Sequence, residues 1–427
     1  MSEPRDPGSS RSDTESIPEA DSSLNEEPQL SKPRIENPFP LIWVGWWVTV
    51  ITVSDQAMIS PLLPNLLNYF GVDIQYGGQI TGAYFLGAAS MTLIAGVLAD
   101  RVGCRNVLVA AISLVAVGEI GAALAKSFGL FLAARTLVGA GSAAASLALT
   151  TYIGLHIPYK GRGKIMGLIG TGFFLGNTFG PFLVTQFVAR LSLQSLFIGL
   201  AILAAIGSLH SVYTLRGDPP HDRIAGSWRD YRSVLKNRGF WGLVIVQSLF
   251  TFGVMGMIQF FGEWLESVHG MDTKERGVVF LIGGLPILLG SPIGGWLCDK
   301  IGKKPFFVAV TFLLGSVTCV LPYIEQNVVG VIVLFGAVGF VAAGRYSAYH
   351  ALTTRLIEEE LLGHLLALRN FINYLVAASG VTLMGFVYSS SETTGYIRMG
   401  WVTTAMLMVS IPFLIKMVPG EPVEEEG

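Results

Sequence analysis

The 427-residue sequence is poor in charge, with Lys, Arg, Asp and Glu making up only 14% of it. Soluble domains carry about a quarter charged residues, so a set of water-soluble globular domains is excluded at the outset. Cysteine is also scarce: Cys104, Cys298 and Cys319 show no paired spacing, which argues against a disulfide framework or a thiolate metal site. The six histidines are scattered, without His-x-x-x-His or His-x-x-Glu-x-His spacing. An enzyme, a resident metal and a cofactor are therefore not expected. No Gly-x-x-x-x-Gly-Lys-Ser/Thr pattern occurs, so ATP drive within this chain is not expected either. The net charge of -2 gives no reason to expect nucleic acid as a partner.

What the sequence does contain is apolar length. Half of it is hydrophobic (51%) and the mean hydropathy is +0.56. A membrane-crossing helix needs roughly 20 apolar residues. Twelve such stretches follow one another at 40–66, 78–98, 106–126, 128–154, 165–188, 192–214, 240–264, 277–297, 305–324, 328–351, 365–388 and 397–418. The fold class expected is an all-α membrane protein of twelve transmembrane helices in two pseudosymmetric six-helix bundles, residues 38–214 and 240–418, joined by a polar linker at 215–239. Residues 1–37, rich in Ser, Pro, Asp and Glu, read as a disordered tail, and 419–427 as a short acidic one. The linker could hold a short interfacial helix. Fifteen basic residues fall on the side of the termini and five on the other. They place both termini in the cytoplasm of a multi-pass protein of the cell membrane, expected to be a monomer. Trp43, Trp46 and Trp47 read as an interfacial belt.

An internal repeat supports the two halves. GVLADRVGCRN at 96–106 returns as GWLCDKIGKKP at 295–305, a shift of 199 residues. Gly96 and Gly295 would permit close helix approach, and Gly103 and Gly302 a tight turn. Asp100, Arg101, Arg105, Asp299 and Lys303 sit where water is available.

This element resembles the signature loop of the major facilitator superfamily. Arg135, Gly139 and Gly141 in the fourth stretch resemble its Arg-x-x-x-Gly-x-Gly pattern. Gly176, Gly180 and Pro181 in the fifth resemble the Gly-Pro motif of the drug:proton antiporter branch, although Val184 and Thr185 replace its final glycine pair. His156 stands where that branch usually has an acidic residue. The resemblance implies alternating access to a central cavity.

Ionisable residues inside a bilayer cost about 2.5–3.5 kcal/mol each at a helix centre on insertion scales, so each demands a partner or a purpose. Asp55 and Arg135 fall at matching depth and are expected to pair, either as a static lock or as a proton-exchanging site. Glu119 is the other intramembrane carboxylate, a candidate for proton coupling or for a structural, lipid-adjacent place. Arg345, Tyr346, Tyr349 and His350, with Arg369, Asn370 and Asn373, form a candidate cationic substrate wall. Alternatively, Arg345 and Arg369 lock a gate against Asp100. Asn177, Gln247 and Gln259 are candidate substrate contacts or inter-helix hydrogen bonds. The function expected is secondary transport of a small organic solute, by proton-coupled antiport in the efflux direction or by symport or facilitated passage of an organic anion. A non-transporting sensor is the reading from another class.

Overall fold

The computed structural model describes residues 38–418 apart from Pro158, Glu392 and residues 219–227, 325–326, 354–355 and 357–361. Both tails and Arg355 lie outside the described residues, as do the side chain of Lys160 and the middle of the linker. Among the described residues the chain is helical throughout, with no strand.

Span 1 is a broken helix, Phe39–Ala57 and Ile59–Phe70, bent by 54°. Pro61 accounts for the break, because it has no N–H to offer the carbonyl four residues earlier and its ring crowds that turn. Spans 2 to 6 are Ile74–Val102, Cys104–Leu124, Phe128–His156, Arg162–Val188 and Leu193–Thr214. Spans 7 to 12 are Arg238–His269, Thr273–Ile301, Lys303–Tyr323, Val328–Thr353, Leu365–Ser389 and Gly395–Met417. All are long and apolar enough to cross a membrane. The linker does contain a short helix, Trp228–Lys236, whose Val234 is buried in a small cluster with Phe240, Val244 and Leu365. Span 7 passes through a π-turn at Thr251–Met255, a deformation that often marks functional helices.

Six spans per half place the chain's described ends and the linker on one side, here the linker side, and leave a far side opposite. The repeat produces the same turn twice. Gly103 (φ 89°, ψ 147°) and Gly302 (φ 96°, ψ 142°) both occupy backbone space that disfavours a side chain. The basic residue two positions later closes each half alike. Arg105 Nη2 donates to Val212 O at 2.5 Å, and Lys304 Nζ donates to Ile415 O at 2.9 Å and Val418 O at 2.7 Å. Each cation thus satisfies carbonyls at the end of its half's sixth helix, where the helix dipole favours positive charge.

The expectation for Gly96 and Gly295 is corrected. A Cβ on Gly96 would meet only Leu147 Cδ2 at 4.0 Å, and on Gly295 nothing within 4 Å. Helix contact lies farther along instead, where Gly87 meets the Thr136 backbone and Gly290 and Gly294 meet Phe340 and Gly344.

The halves meet on the far side. Ser60 Oγ donates to Ile258 O (2.5 Å), Thr81 Oγ1 to Gln259 Oε1 (2.6 Å) and Arg276 Nη2 to Asn65 Oδ1 (2.6 Å). Thr185 packs where a Cβ on Gly277 would stand. The small residue of this crossing is therefore on span 8, and the missing glycine at position 185 leaves the contact tight. Arg276 also pairs with Glu266. On the linker side of this seal the halves leave a cavity.

Candidate functional site

Span 1 delivers Asp55 three residues before its break, and span 4 delivers Arg135. Arg135 Nη1 donates to Asp55 Oδ1 at 2.6 Å and Nη2 to Asp55 Oδ2 at 3.0 Å, a bidentate pair with both side chains at most 1% exposed. Planar two-point contact is the strong geometry for such pairs. Glycine makes it reachable: Gly139 packs against the Tyr84 backbone, and Gly141 lies where a Cβ would stand 2.6 Å from Ala111 O. Spans 2 and 3 thereby close on span 4 around the arginine. On the other flank, Gly176 faces Val53 and Gly180 faces Ser54, so the span-5 motif seats span 1 beside Asp55.

Glu119 of span 3 joins them. It is 1% exposed with Oε1 3.8 Å from Arg135 Nη1, so the lipid-adjacent placing is corrected. No N–H donor reaches its oxygens, and its carboxyl lies within hydrogen-bond reach of Asp55. One guanidinium therefore faces two carboxyl groups.

A cavity of about 310 Å³ opens below this triad on the linker side, lined by Val48, Thr52, Gln56, Tyr84, Ser146 and Phe173 among others. Tyr84 is 6% exposed and lies beneath Arg135, whose guanidinium carbon is 5.4 Å from the ring centre. It stands between the triad and the cavity. Tyr84 and Gln56 escaped the sequence reading. The available signal was polarity inside an apolar span, next to Asp55 for Gln56.

The C-terminal half distributes its candidates differently. Arg345 is 1% exposed and spent inside its own bundle. Its Nε reaches Thr311 Oγ1 (3.2 Å), its Nη1 Gln247 Oε1 (3.1 Å) and its Nη2 Val246 O (3.2 Å). Phe250 and Phe307 sandwich the guanidinium at 4.3 and 4.6 Å. Gln247 is thus an inter-helix partner, and Arg345 is not on the cavity wall. Gln259 belongs to the far-side seal. Asn177 donates to Phe173 O in its own helix; Phe173 is a cavity residue one turn away. Tyr374 of span 11 lines the cavity and stacks on Phe85 at 5.9 Å, bringing span 11 to the N-terminal half. Asn370 lies one turn from Tyr374 on the same face, while Arg369 and Asn373 lie one turn from each other on the neighbouring face. Asn373 Oδ1 accepts from Thr251 Oγ1 at 2.7 Å, at the π-turn. Tyr346 is 55% exposed and 4.2 Å ring to ring from His350, while Tyr349 is buried.

Near the first signature loop, a pocket of about 390 Å³ holds Asp100, Arg101, Arg105 and Asp218. Asp218 Oδ2 accepts from Arg105 N at 3.1 Å. A linker carboxylate thus sits at this loop, while His156 of span 4 stacks on Tyr152 at 3.9 Å. Asp299 of the second loop is exposed. Trp46 and Trp47 do more than mark an interface, because their Nε1 atoms donate to Thr171 and Leu203 O at 3.2 Å.

Comparison with known proteins agrees with this architecture. The sequence profile described as Major Facilitator Superfamily matches residues 45–381 and 275–427. The chain belongs to that family. It is 26% identical over 372 residues to the uncharacterized MFS-type transporter YceJ of Bacillus subtilis (strain 168), covering 83% of this chain and 90% of that protein. It is 21% identical over 409 residues to a probable L-galactonate transporter of Escherichia coli (strain K12), covering 88% and 89%. A bacterial homologue of the human lysosomal transporter Spinster, solved inward-facing and unoccupied, superposes with TM-score 0.76 at 16% identity, covering 89% of this chain and 97% of that one. The D-xylose–proton symporter gives TM-score 0.74 at 18% identity, covering 90% and 98%. The family and its relatives make this chain a secondary transporter of small solutes.

Proposed function

We propose that the chain couples proton movement to transport of a small organic solute, in the antiport direction, with the Asp55–Arg135–Glu119 cluster as the proton site. The observation that carries this reading is one buried guanidinium facing two buried carboxyl groups behind Tyr84. Arg135 neutralises one carboxylate. Two like charges against one cation disfavour full ionisation, so the cluster has a place for one proton. Closing the linker side and opening the far side would move that place from one solution to the other. With the linker side read as the cytoplasm, the cavity faces inward, and antiport driven by an inward proton gradient would export the solute. The span-5 glycines at Val53 and Ser54 support antiport, since the motif they resemble belongs to that branch.

A second reading, symport or facilitated passage of an organic anion, draws on the C-terminal half. Arg345 and Arg369 sit in spans whose interiors carry no carboxylate, and one relative bears the name of a galactonate transporter. Reconstitution separates the two. In acid-loaded liposomes, where protons run outward, an antiporter drives solute into the lumen and a symporter drives it out. Asp55→Asn is expected to abolish the proton-driven component while the protein still folds. Unchanged proton-driven transport in that variant overturns the assignment.

A further inference from the structure

We propose that the segment following span 12 docks on the second signature loop, with Glu421 capping the N-terminus of span 9 as Asp218 caps that of span 3. The N-terminal half shows the device complete. Span 3 opens at Gly103, which has no side chain to satisfy the first N–H groups of the helix, and its first turn holds no acidic residue. Asp218, four residues past Thr214 at the end of span 6, supplies the acceptor. Its Oδ2 takes the hydrogen bond of Arg105 N at 3.1 Å and stands 2.5 Å from where a Cβ on Gly103 would be. In return, the Arg105 side chain satisfies Val212 O at the end of span 6. The two helix ends cap each other, a carboxylate at the positive end of one dipole and a guanidinium at the negative end of the other.

The C-terminal half repeats every part of this staple that the structure describes. Gly302 opens span 9 with the backbone conformation of Gly103. Phe306 N bonds to Gly302 O as Val107 N bonds to Gly103 O, both at 3.1 Å. Lys304 takes the place of Arg105 and satisfies Ile415 O, the counterpart of Val212 O. Leu215 and Val418, which end spans 6 and 12, are both extended (φ −84°, ψ 135° and φ −91°, ψ 124°) and buried. The sequence continues the match beyond them. Leu215, Gly217, Asp218 and Pro219 are answered by Val418, Gly420, Glu421 and Pro422, a shift of 203 residues. Val212 and Ile415, the carbonyls that the two cations reach, are separated by the same 203 residues. Glu421, which lies outside the described residues, is thus in register with Asp218.

Chemistry calls for an acid at that place. Span 9 begins Lys303, Lys304, Pro305, with no acidic residue in its first turn. Two cations therefore stand at the helix end whose dipole favours negative charge, and a carboxylate brought from elsewhere in the chain relieves both. A proline follows the acid in each half and biases it toward extended backbone, so Asp218 and Glu421 share that constraint as well. A segment held in this way makes spans 9 and 12 one unit, as spans 3 and 6 are. The second signature loop then keeps its shape while the halves move, whichever direction the solute takes.

The test is amide hydrogen exchange of the full chain in detergent, read on peptides that cover the first turns of spans 3 and 9. Glu421→Ala should speed exchange at Lys304 about fivefold, the size of a lost helix cap, and leave Arg105 unchanged. Asp218→Ala should do the reverse, and Glu425→Ala should change neither. Unchanged exchange at Lys304 in Glu421→Ala, or equal acceleration in Glu425→Ala, overturns the docking. Cross-linking reads the same contact without depending on stability. A Cβ on Gly103 would stand 3.7 Å from Asp218 Cβ, a separation that suits a disulfide. Gly103→Cys with Asp218→Cys should therefore link on oxidation, and Gly302→Cys with Glu421→Cys should link as well. A link in the first pair without one in the second overturns the docking.

Discussion

Arg135 and Arg345 lie in corresponding spans of the two halves, each at most 1% exposed, yet their surroundings are opposite. Arg135 has a bidentate carboxylate and a second one 3.8 Å away. Arg345 has a hydroxyl, an amide, a backbone carbonyl and two aromatic faces. The duplicated scaffold thus supports two chemistries. Two carboxyl groups around one fixed cation leave room for a proton on one of them. A cation held by neutral dipoles and π-systems has no such acceptor beside it and braces spans 7, 9 and 10.

The largest effect that sharpens this contrast is on stability. Arg135→Gln strands two buried carboxyl groups and should cost about 3–5 kcal/mol, read as thermal or denaturant unfolding in detergent. Arg345→Gln strands no charge and should cost under about 2 kcal/mol, chiefly its cation–π contacts. Equal losses would break the comparison. Next in size, Gln247→Glu gives Arg345 the counter-ion it lacks. It should raise stability by about 1 kcal/mol through a charge-assisted hydrogen bond, measured in the same unfolding assay. A loss of stability there would mean that the C-terminal site excludes negative charge.

Smaller effects test the symmetry itself. Gly103→Ala and Gly302→Ala force a side chain into left-handed backbone and should each cost about 1–2 kcal/mol, Gly103→Ala the more because its Cβ would stand 2.5 Å from Asp218 Oδ2. Gly96→Ala, with open space around it, should change stability by less than about 0.5 kcal/mol.

The scaffold was legible in the sequence because a bilayer forces long apolar helices and because the 96–106 and 295–305 segments repeat at one spacing. The Asp55–Arg135 pair was legible for the same reason, since two charges at matching depth inside a membrane must find each other. Hydropathy carries no azimuth, and there the reading ran out. It could not tell that Glu119 turns inward to Arg135, that Arg345 turns into its own bundle, or that Gln259 seals the far side. Tyr84 was missed because a tyrosine in an apolar span carries no charge to flag it. Asp218 was missed because its partner, Arg105 N, lies 113 residues away in sequence.

The central claim is that the Asp55–Arg135–Glu119 cluster holds one exchangeable proton. Infrared difference titration of the purified protein tests it without any solute, by following the protonated-carboxyl stretch from alkaline to acidic pH. A band from a buried carboxyl group should appear in the wild type and change in both Asp55→Asn and Glu119→Gln. A wild-type band that persists unaltered in both variants, or no band at all, would contradict the account.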